Sequence, residues 1–152
     1  MERISCVCLR LCNKGNEVVL TERFIAENTI RVRYAETDAM GIVHHRNYLV
    51  YFEEARSHYA RERGQPYSDF EKAGFYLMVS EANLRFARAS HYDQQITIRT
   101  WIAEMRSRSA RFEYEVFDTE SGEMLVTGYT KHICITQDGK VARIPDAWKD
   151  WA

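Results

Sequence analysis

The feature that most constrains the fold is one long amphipathic helix, followed by a second half composed almost wholly of predicted strands. From about His45 to Arg63, apolar side chains recur at spacings of three and four, which predicts a helix of about five turns. Gly64 and the nearby Pro66 are typical of its end. Because it is the only long helix predicted, its apolar side has to be buried against a sheet.

Four long segments rich in Val, Ile, Thr and aromatic residues follow a short helix predicted over residues 67–73. The connections between them are short and polar, and residues 118–123 and 137–140 are typical of tight turns. Consecutive strands joined in this way run antiparallel. With a further strand at residues 29–34, the pattern predicts an α+β fold in which the sheet curls round the helix. The four later strands are predicted over residues 75–86, 94–105, 109–118 and 124–136.

Length and composition favour a single domain. The chain has 152 residues, 45% of them hydrophobic, which is enough for one core. Residues 1–26 differ from the rest and are predicted to be a flexible N-terminal extension, with a weak strand near residues 18–25 as the alternative, and residues 27–152 form the domain. The apolar stretch at residues 4–11 is interrupted by Arg10 and is too short to span a bilayer, so no membrane span is predicted.

Charge and cysteine spacing exclude two further classes. The net charge of −1 argues against a protein that holds nucleic acid, because such proteins usually carry a basic surplus. The four cysteines are not spaced as zinc ligands are, so no metal site is predicted. They are interpreted as reduced thiols of a cytoplasmic protein. The cysteines are Cys6, Cys8, Cys12 and Cys134.

Candidate chemistry is concentrated between the first predicted strand and the long helix. Residues 34–48 are predicted to form a strand end, a tight loop carrying Asp38 and Gly41, and a helix start carrying His44 and His45. A helix start offers unpaired backbone N–H groups that can polarise a carbonyl oxygen. From the residues alone, Asp38 is either a reactive carboxylate or the cap of a turn. His45 is either a proton donor or an ordinary first-turn residue.

A spaced signature covers this loop: Tyr34-x-Glu36-Thr37-Asp38-x-x-Gly41-x-Val43-x-His45-x-x-Tyr48. It resembles the opening signature of hotdog-fold acyl-CoA thioesterases. Within them it is most similar to the 4-hydroxybenzoyl-CoA thioesterase-like group that includes the bacterial Tol-Pal-associated enzymes. The resemblance extends from about Asn28 to about Pro145. It departs at His44, where an aromatic residue is more usual, and at Glu36, which replaces a common Asp.

The resemblance implies a hotdog fold, with a long central helix wrapped by a curved antiparallel sheet, and hydrolysis of an acyl-CoA or aryl-CoA thioester without a cofactor. In the family, the acid at the position of Asp38 acts either as a nucleophile, giving a mixed anhydride, or as a general base that activates water. His45 corresponds to a histidine that orients the acid or donates a proton to the leaving thiolate. Backbone amides from Gly41 to His45 form the expected oxyanion site. The substrate-binding positions implied are Gly41, Val43, His44, Tyr48 and Ser109.

The same resemblance implies partners. Family members form dimers whose sheets join and whose pockets lie between subunits, so a homodimer, or a tetramer of paired dimers, is expected. The alternative function is a non-catalytic module that binds acyl-CoA or an acyl carrier protein, and a hotdog hydratase is a third reading that the loop disfavours. Guanidinium groups suit phosphate oxygens. Five arginines are therefore candidates for the CoA phosphates: Arg85, Arg88, Arg106, Arg108 and Arg111.

Overall fold

A computed structural model of the chain describes residues 8–14 and 17–151. Its helices are α1 (Asn47–Glu62) and α2 (Tyr67–Lys72). Its strands are β1 (Cys8–Lys14), β2 (Glu17–Arg23), β3 (Ala26–Arg31), β4 (Phe75–Phe86), β5 (Gln95–Met105), β6 (Ser109–Asp118) and β7 (Met124–Thr136). β1 and β2 form a two-stranded antiparallel sheet. The main sheet is antiparallel, in the order β3-β5-β6-β7-β4, which places β3 and β4 at its edges.

The start of the chain lies partly outside the described residues, which exclude residues 1–7, 15, 16 and 152. Cys6 is among them. The flexible extension over residues 1–26, with a domain boundary at residue 27, therefore stays a prediction. The alternative strand near residues 18–25 agrees with β2.

The apolar side of α1 packs on the inner face of the main sheet. Tyr48, Phe52, Ala55 and Tyr59 are at most 2% exposed, which confirms that the apolar side of the predicted helix is buried. Phe52 stacks on Tyr114 of β6 with the ring centroids 4.0 Å apart. Full burial of one such side chain contributes roughly 2 kcal/mol. Within the described residues, no helix is long and apolar enough to cross a membrane.

Most predicted boundaries agree with the structure. The strands at residues 75–86, 109–118 and 124–136 are confirmed, and β5 differs by one residue from its prediction. The last described residues form a 3-10 helix at Asp146–Trp151. Its last residue, Trp151, is buried, and its backbone carbonyl accepts the hydroxyl of Tyr59.

The first strand differs from its prediction. It was expected at residues 29–34 but is found at Ala26–Arg31, followed by a 3-10 turn at Tyr34–Glu36. The amide of Arg33 donates to the Glu36 carboxylate at 2.8 Å instead of to a neighbouring strand. The amide of Glu36 in turn donates to the Arg33 carbonyl at 3.0 Å. These bonds turn the chain out of the sheet before the loop begins.

Candidate active site

The segment between β3 and α1 folds as a small closed loop. Thr37 and Val43 pair across it as an isolated antiparallel bridge. The amide of Asp38 donates to the Ile42 carbonyl at 2.9 Å. Gly41 forms the turn between them with φ of +74°, in the left-handed region that glycine adopts without strain. The loop therefore holds Asp38 in a defined position opposite Ile42.

A buried carboxylate anchors this loop to α1. Glu36 is 6% exposed. Its carboxylate accepts hydrogen bonds from the Arg33 guanidinium at 2.9 and 2.7 Å and from the Tyr51 hydroxyl at 2.8 Å. Its backbone carbonyl accepts the His44 amide at 2.9 Å and the Asn47 side-chain amide at 2.6 Å. One residue thus joins the end of the β3 segment, the loop and the first two turns of α1.

The charges around Glu36 favour its ionised form. Burial acts to raise the pKa of the Glu36 carboxyl, but the hydrogen bonds from Arg33 and Tyr51, with the Arg33 charge, outweigh it and bring the pKa below its usual value. Burial, followed by the hydrogen bond to Glu36, raises the pKa of the Tyr51 hydroxyl. At neutral pH Glu36 is therefore an acceptor, and Tyr51 is its donor.

A cavity of about 280 Å³ lies beside this loop at the start of α1. It is lined by both residues predicted to be catalytic, Asp38 and His45, and by two of the predicted substrate-binding residues, Val43 and Tyr48. The structure therefore brings these four together. The other lining residues are Met40, Ile42, Phe86, Ala87, Arg88 and Ala89.

Two of the remaining predicted positions lie elsewhere. Gly41 forms the tip of the loop and is not among the lining residues. Ser109 begins β6, where it pairs with Ile133 of β7, and it does not line the cavity of this chain either. Gly41 therefore shapes the loop, and Ser109 has no contact with the cavity within the described chain.

The two adjacent histidines occupy different environments. His44 and His45 stack with their ring centroids 4.1 Å apart. His44 Nδ1 accepts the Arg46 amide at 3.3 Å, and His44 does not line the cavity, whereas His45 does. In the part of the chain that the structure describes, no group of three or more His, Cys, Asp or Glu side chains could hold a metal ion.

The Asp38 carboxylate has one oxygen engaged and one available. Its Oδ1 accepts the Met40 amide at 2.8 Å, so the turn-capping role considered from the sequence is present. Its Oδ2 accepts no hydrogen bond from the described residues. Capping fixes the side chain without occupying both oxygens.

The candidate oxyanion site is smaller than the sequence suggests. The amides of Gly41, Val43 and His44 already donate to carbonyl oxygens at 2.8 to 2.9 Å. The amides of Ile42 and His45 have no acceptor among the described residues, and both residues line the cavity. Of the amides from Gly41 to His45, these two alone are free of an acceptor within the described residues and can donate to a substrate oxygen.

One wall of the cavity was missed from the sequence. It is formed by Phe86, the last residue of β4, and by residues 87–89, and it is fixed by the fully buried Ser90. Ser90 Oγ accepts the Tyr48 hydroxyl at 3.0 Å, and its carbonyl accepts the Val43 amide at 2.8 Å. The small residues Ala87 and Ala89 just after a long strand are the sequence signal that could have indicated a cavity wall.

Comparison with known proteins gives consistent matches across the loop, helix and sheet. A family model described as the thioesterase-like superfamily matches residues 32–152. YneP of Bacillus subtilis is 34% identical over 128 residues, which cover 84% of this chain and 92% of that protein. The structure of the DHNA-CoA thioesterase from Staphylococcus aureus has a TM-score of 0.78 and 35% identity, covering 84% of this chain and 85% of that one. The acyl-CoA thioester hydrolase YbgC of Escherichia coli is 29% identical over 94 residues, 60% of this chain and 69% of that protein.

Proposed function

We propose that this chain, which belongs to the thioesterase-like superfamily and has its hotdog fold, hydrolyses acyl-CoA or aryl-CoA thioesters to the free acid and CoA. Relatives named as an acyl-CoA thioester hydrolase and a DHNA-CoA thioesterase place it among the thioester hydrolases. The observation that carries the mechanism is that Asp38 and His45 line one cavity at the start of α1.

Asp38 supports two balanced routes. In the first, its carboxylate attacks the thioester carbonyl carbon, the C–S bond breaks, CoA leaves as a thiolate that takes a proton, and water hydrolyses the mixed anhydride. In the second, Asp38 takes a proton from water as the water oxygen attacks the same carbon, and a proton then passes to the departing sulfur. Both routes consume one water and use neither a metal nor a redox cofactor.

The remaining groups serve either route. The Ile42 and His45 amides are the proposed donors to the oxyanion that develops on the carbonyl; both are unpaired within the described residues, and both residues line the cavity. The His45 ring is proposed to orient Asp38 or the attacking water, or to protonate the thiolate. An apolar surface that includes Met40 and Phe86 would take the acyl or aryl group.

Arg88 is the strongest of the five arginine candidates for the CoA phosphates, since it alone among them lines the cavity. Its side chain is 61% exposed and lies 3.4 Å from the Glu123 carboxylate. Such a long, exposed ion pair is weak, so a phosphate can replace the carboxylate at little cost.

The test is the release of CoA from a panel of fatty-acyl and aryl esters, followed with a thiol reagent. At least one ester should be cleaved well above the buffer rate, and hydrolysis of none would contradict the proposal.

Saturable binding by calorimetry with the ester recovered intact would support the alternative, a non-catalytic module for acyl-CoA or acyl carrier protein. Single turnover in labelled water separates the two routes, because only nucleophilic attack transfers solvent oxygen into Asp38.

The chain is also proposed to be a homodimer. β4 is an edge strand whose exposed side chains include Tyr76, Met78, Val79 and Phe86, each 40% to 51% exposed. An edge strand with such apolar residues favours pairing with a second copy. Because Phe86 also lines the cavity, this pairing would place the second copy beside the open side of the site.

Light scattering at micromolar concentration should give the dimer mass, or the tetramer mass if dimers pair. Met78→Lys should shift the protein toward the monomer. Val141→Lys is the matched control, because Val141 is 60% exposed but lies outside β4. A monomer mass for the unmodified protein would contradict the proposal. A cytoplasmic location and a place in the Tol-Pal-associated subgroup remain predictions from the sequence.

A further inference from the structure

The Asp38 loop is tied to α1 through one buried carboxylate, and we propose that Glu36 is a positioning residue for hydrolysis. It fixes the loop so that Asp38 and the His45 amide face the same cavity. This inference rests on the proposed thioesterase function and adds a residue that does not itself touch the reacting atoms.

Both oxygens of Glu36 are fully used. Oε1 accepts the Arg33 Nε and Nη2 groups, and Oε2 accepts the Arg33 amide and the Tyr51 hydroxyl. A carboxylate with four donors has no free lone pair for a substrate or a proton in transit. Glu36 does not line the cavity, so any effect on the reaction passes through the groups it holds.

Those groups determine where the reactive atoms lie. Glu36 stands two residues before Asp38, and its carbonyl holds the amide of His44, the residue before His45. Loss of the carboxylate contacts would free the segment that carries Asp38 from Tyr51 on α1, while the bonds to the Glu36 carbonyl would stay. A misplacement of about 1 Å at a catalytic group can reduce a rate by about 100-fold. The opposite wall of the cavity, at residues 86–89, lies outside the loop and would be unchanged.

The length of the side chain is part of the inference. Arg33 lies before the loop and Tyr51 lies on the helix, and Glu36 reaches both at 2.7 to 2.9 Å. An Asp side chain is shorter by one methylene, so it keeps the charge without reaching both partners. Glu36→Asp therefore separates the position of the carboxylate from its charge.

The experiment compares Glu36→Gln, Glu36→Asp and Tyr51→Phe with Glu54→Gln. The matched control, Glu54, is a carboxylate on α1 that is paired with Arg61 at 2.7 Å but lies on the surface. We expect kcat to fall by about 10- to 100-fold for Glu36→Gln. KM should change less than kcat, because the wall at residues 86–89, with Arg88, is not held by Glu36. Glu36→Asp and Tyr51→Phe should give smaller losses in the same direction, and the control should match the parent.

Rates are measured well below the thermal midpoint of each variant. A parental kcat for Glu36→Gln, even with lowered stability, would show a merely structural role and overturn the inference. So would a rise in KM with kcat unchanged.

Hydrogen–deuterium exchange gives a readout independent of activity. Amides of residues 37–45 should exchange faster in Glu36→Gln and Tyr51→Phe than in the Glu54→Gln control, and equal exchange would overturn the inference. If the parent hydrolyses no ester but these amides still exchange faster, the proposed function fails while the positioning of the loop by Glu36 stands. If the parent is active and kcat is unaffected, only the role of Glu36 fails.

Discussion

Two polar clusters lie along α1, and each is built around one buried titratable side chain, Glu36 or His132. The Glu36 cluster, at the helix start, consists of Glu36, Arg33 and Tyr51 and is built around an ionised carboxylate. The His132 cluster, near the middle of the helix, is built around a neutral imidazole. Its members are Arg56, Tyr114, Thr130 and His132.

The His132 cluster has one consistent direction of donation. The Arg56 guanidinium can only donate, and it does so to the Tyr114 hydroxyl at 3.1 Å. The Tyr114 hydroxyl then donates to Thr130 at 2.7 Å, and Thr130 donates to His132 Nε2 at 2.8 Å. This leaves the Nδ1–H of His132 for the Leu77 carbonyl at 3.4 Å. The chain of bonds joins α1 to three strands and includes no residue of the Asp38 loop.

The central side chains of the two clusters have opposite preferences: Glu36 is stable in its charged form and His132 in its neutral form. Burial, followed by the Arg56 charge, lowers the pKa of His132 to about 4, so its ring is uncharged at neutral pH. The pKa of Glu36 is also lowered, but there the charged form is the stable one. The Glu36 cluster holds a charge beside a reactive loop, whereas the His132 cluster joins core elements without charging its histidine. Substitutions near the Glu36 cluster should therefore lower activity, and substitutions in the His132 cluster should lower stability.

The largest expected effect is the loss of turnover in Asp38→Asn. Asn keeps an acceptor for the Met40 amide but is neither a nucleophile nor a base, so kcat should fall by about 10³-fold with an unchanged thermal midpoint. Asp93→Asn is the control, since Asp93 is an exposed loop carboxylate paired with Arg31. Equal rates for Asp38→Asn and the parent would break the assignment of catalysis to this region.

The next effect concerns pH and the His132 cluster. The unfolded imidazole takes a proton near pH 6.5 and the folded one near pH 4, so between these values the unfolded state binds more protons. Stability from this group is fully present above about pH 6.5 and is lost as pH falls toward 4, by about 3 kcal/mol in total. Urea unfolding at pH 7 and pH 4.5 should show most of this loss in the parent and not in His132→Gln. The same loss in both proteins would assign it to another group.

These two regions differ in how far the sequence predicts them. The Asp38 loop is local in sequence, so spaced residues within 15 positions indicated the acid and the histidine that line the cavity and the glycine turn between them. The strands and α1 follow from periodicity, which is also a local signal. The end of β3 was predicted three residues too late because the Glu36 side chain captures the Arg33 amide, and a side-chain contact of this kind overrides β-propensity.

The His132 cluster and the wall at residues 86–89 could not be predicted in the same way. Arg56 and Tyr114 are 58 residues apart in sequence, and they meet only because α1 crosses β6. An arginine in an amphipathic helix pattern is ordinarily read as exposed, yet Arg56 is 9% exposed. Contacts between distant elements depend on the topology of the sheet, which periodicity alone leaves open.

A third, smaller effect isolates one hydrogen-bonding hydroxyl in the core. Thr130→Val keeps the shape but leaves the Tyr114 hydroxyl and His132 Nε2 without their partner, so the free energy of unfolding should fall by about 2 kcal/mol. The value of kcat, measured well below the thermal midpoint, should not change. Thr127→Val, on the outer face of β7, should stay within about 0.5 kcal/mol of the parent. A lower kcat in Thr130→Val with unchanged stability would contradict the conclusion that the His132 cluster affects stability and not activity.

The smallest effect tests whether the contribution of Glu36 to the free energy of unfolding depends on its burial rather than on the distance to its partner. The Glu54–Arg61 and Glu36–Arg33 pairs have the same N–O distance of 2.7 Å, but Glu54 is 53% exposed and Glu36 is 7% exposed as side chains. Glu54→Gln should lower the free energy of unfolding by less than about 0.5 kcal/mol, because water and salt screen an exposed pair. Glu36→Gln should lower it by about 2 kcal/mol, because the buried Tyr51 hydroxyl loses its charged acceptor. Equal losses in urea unfolding at low and high salt would show that the two pairs are equivalent and that burial adds nothing to the anchoring of the loop.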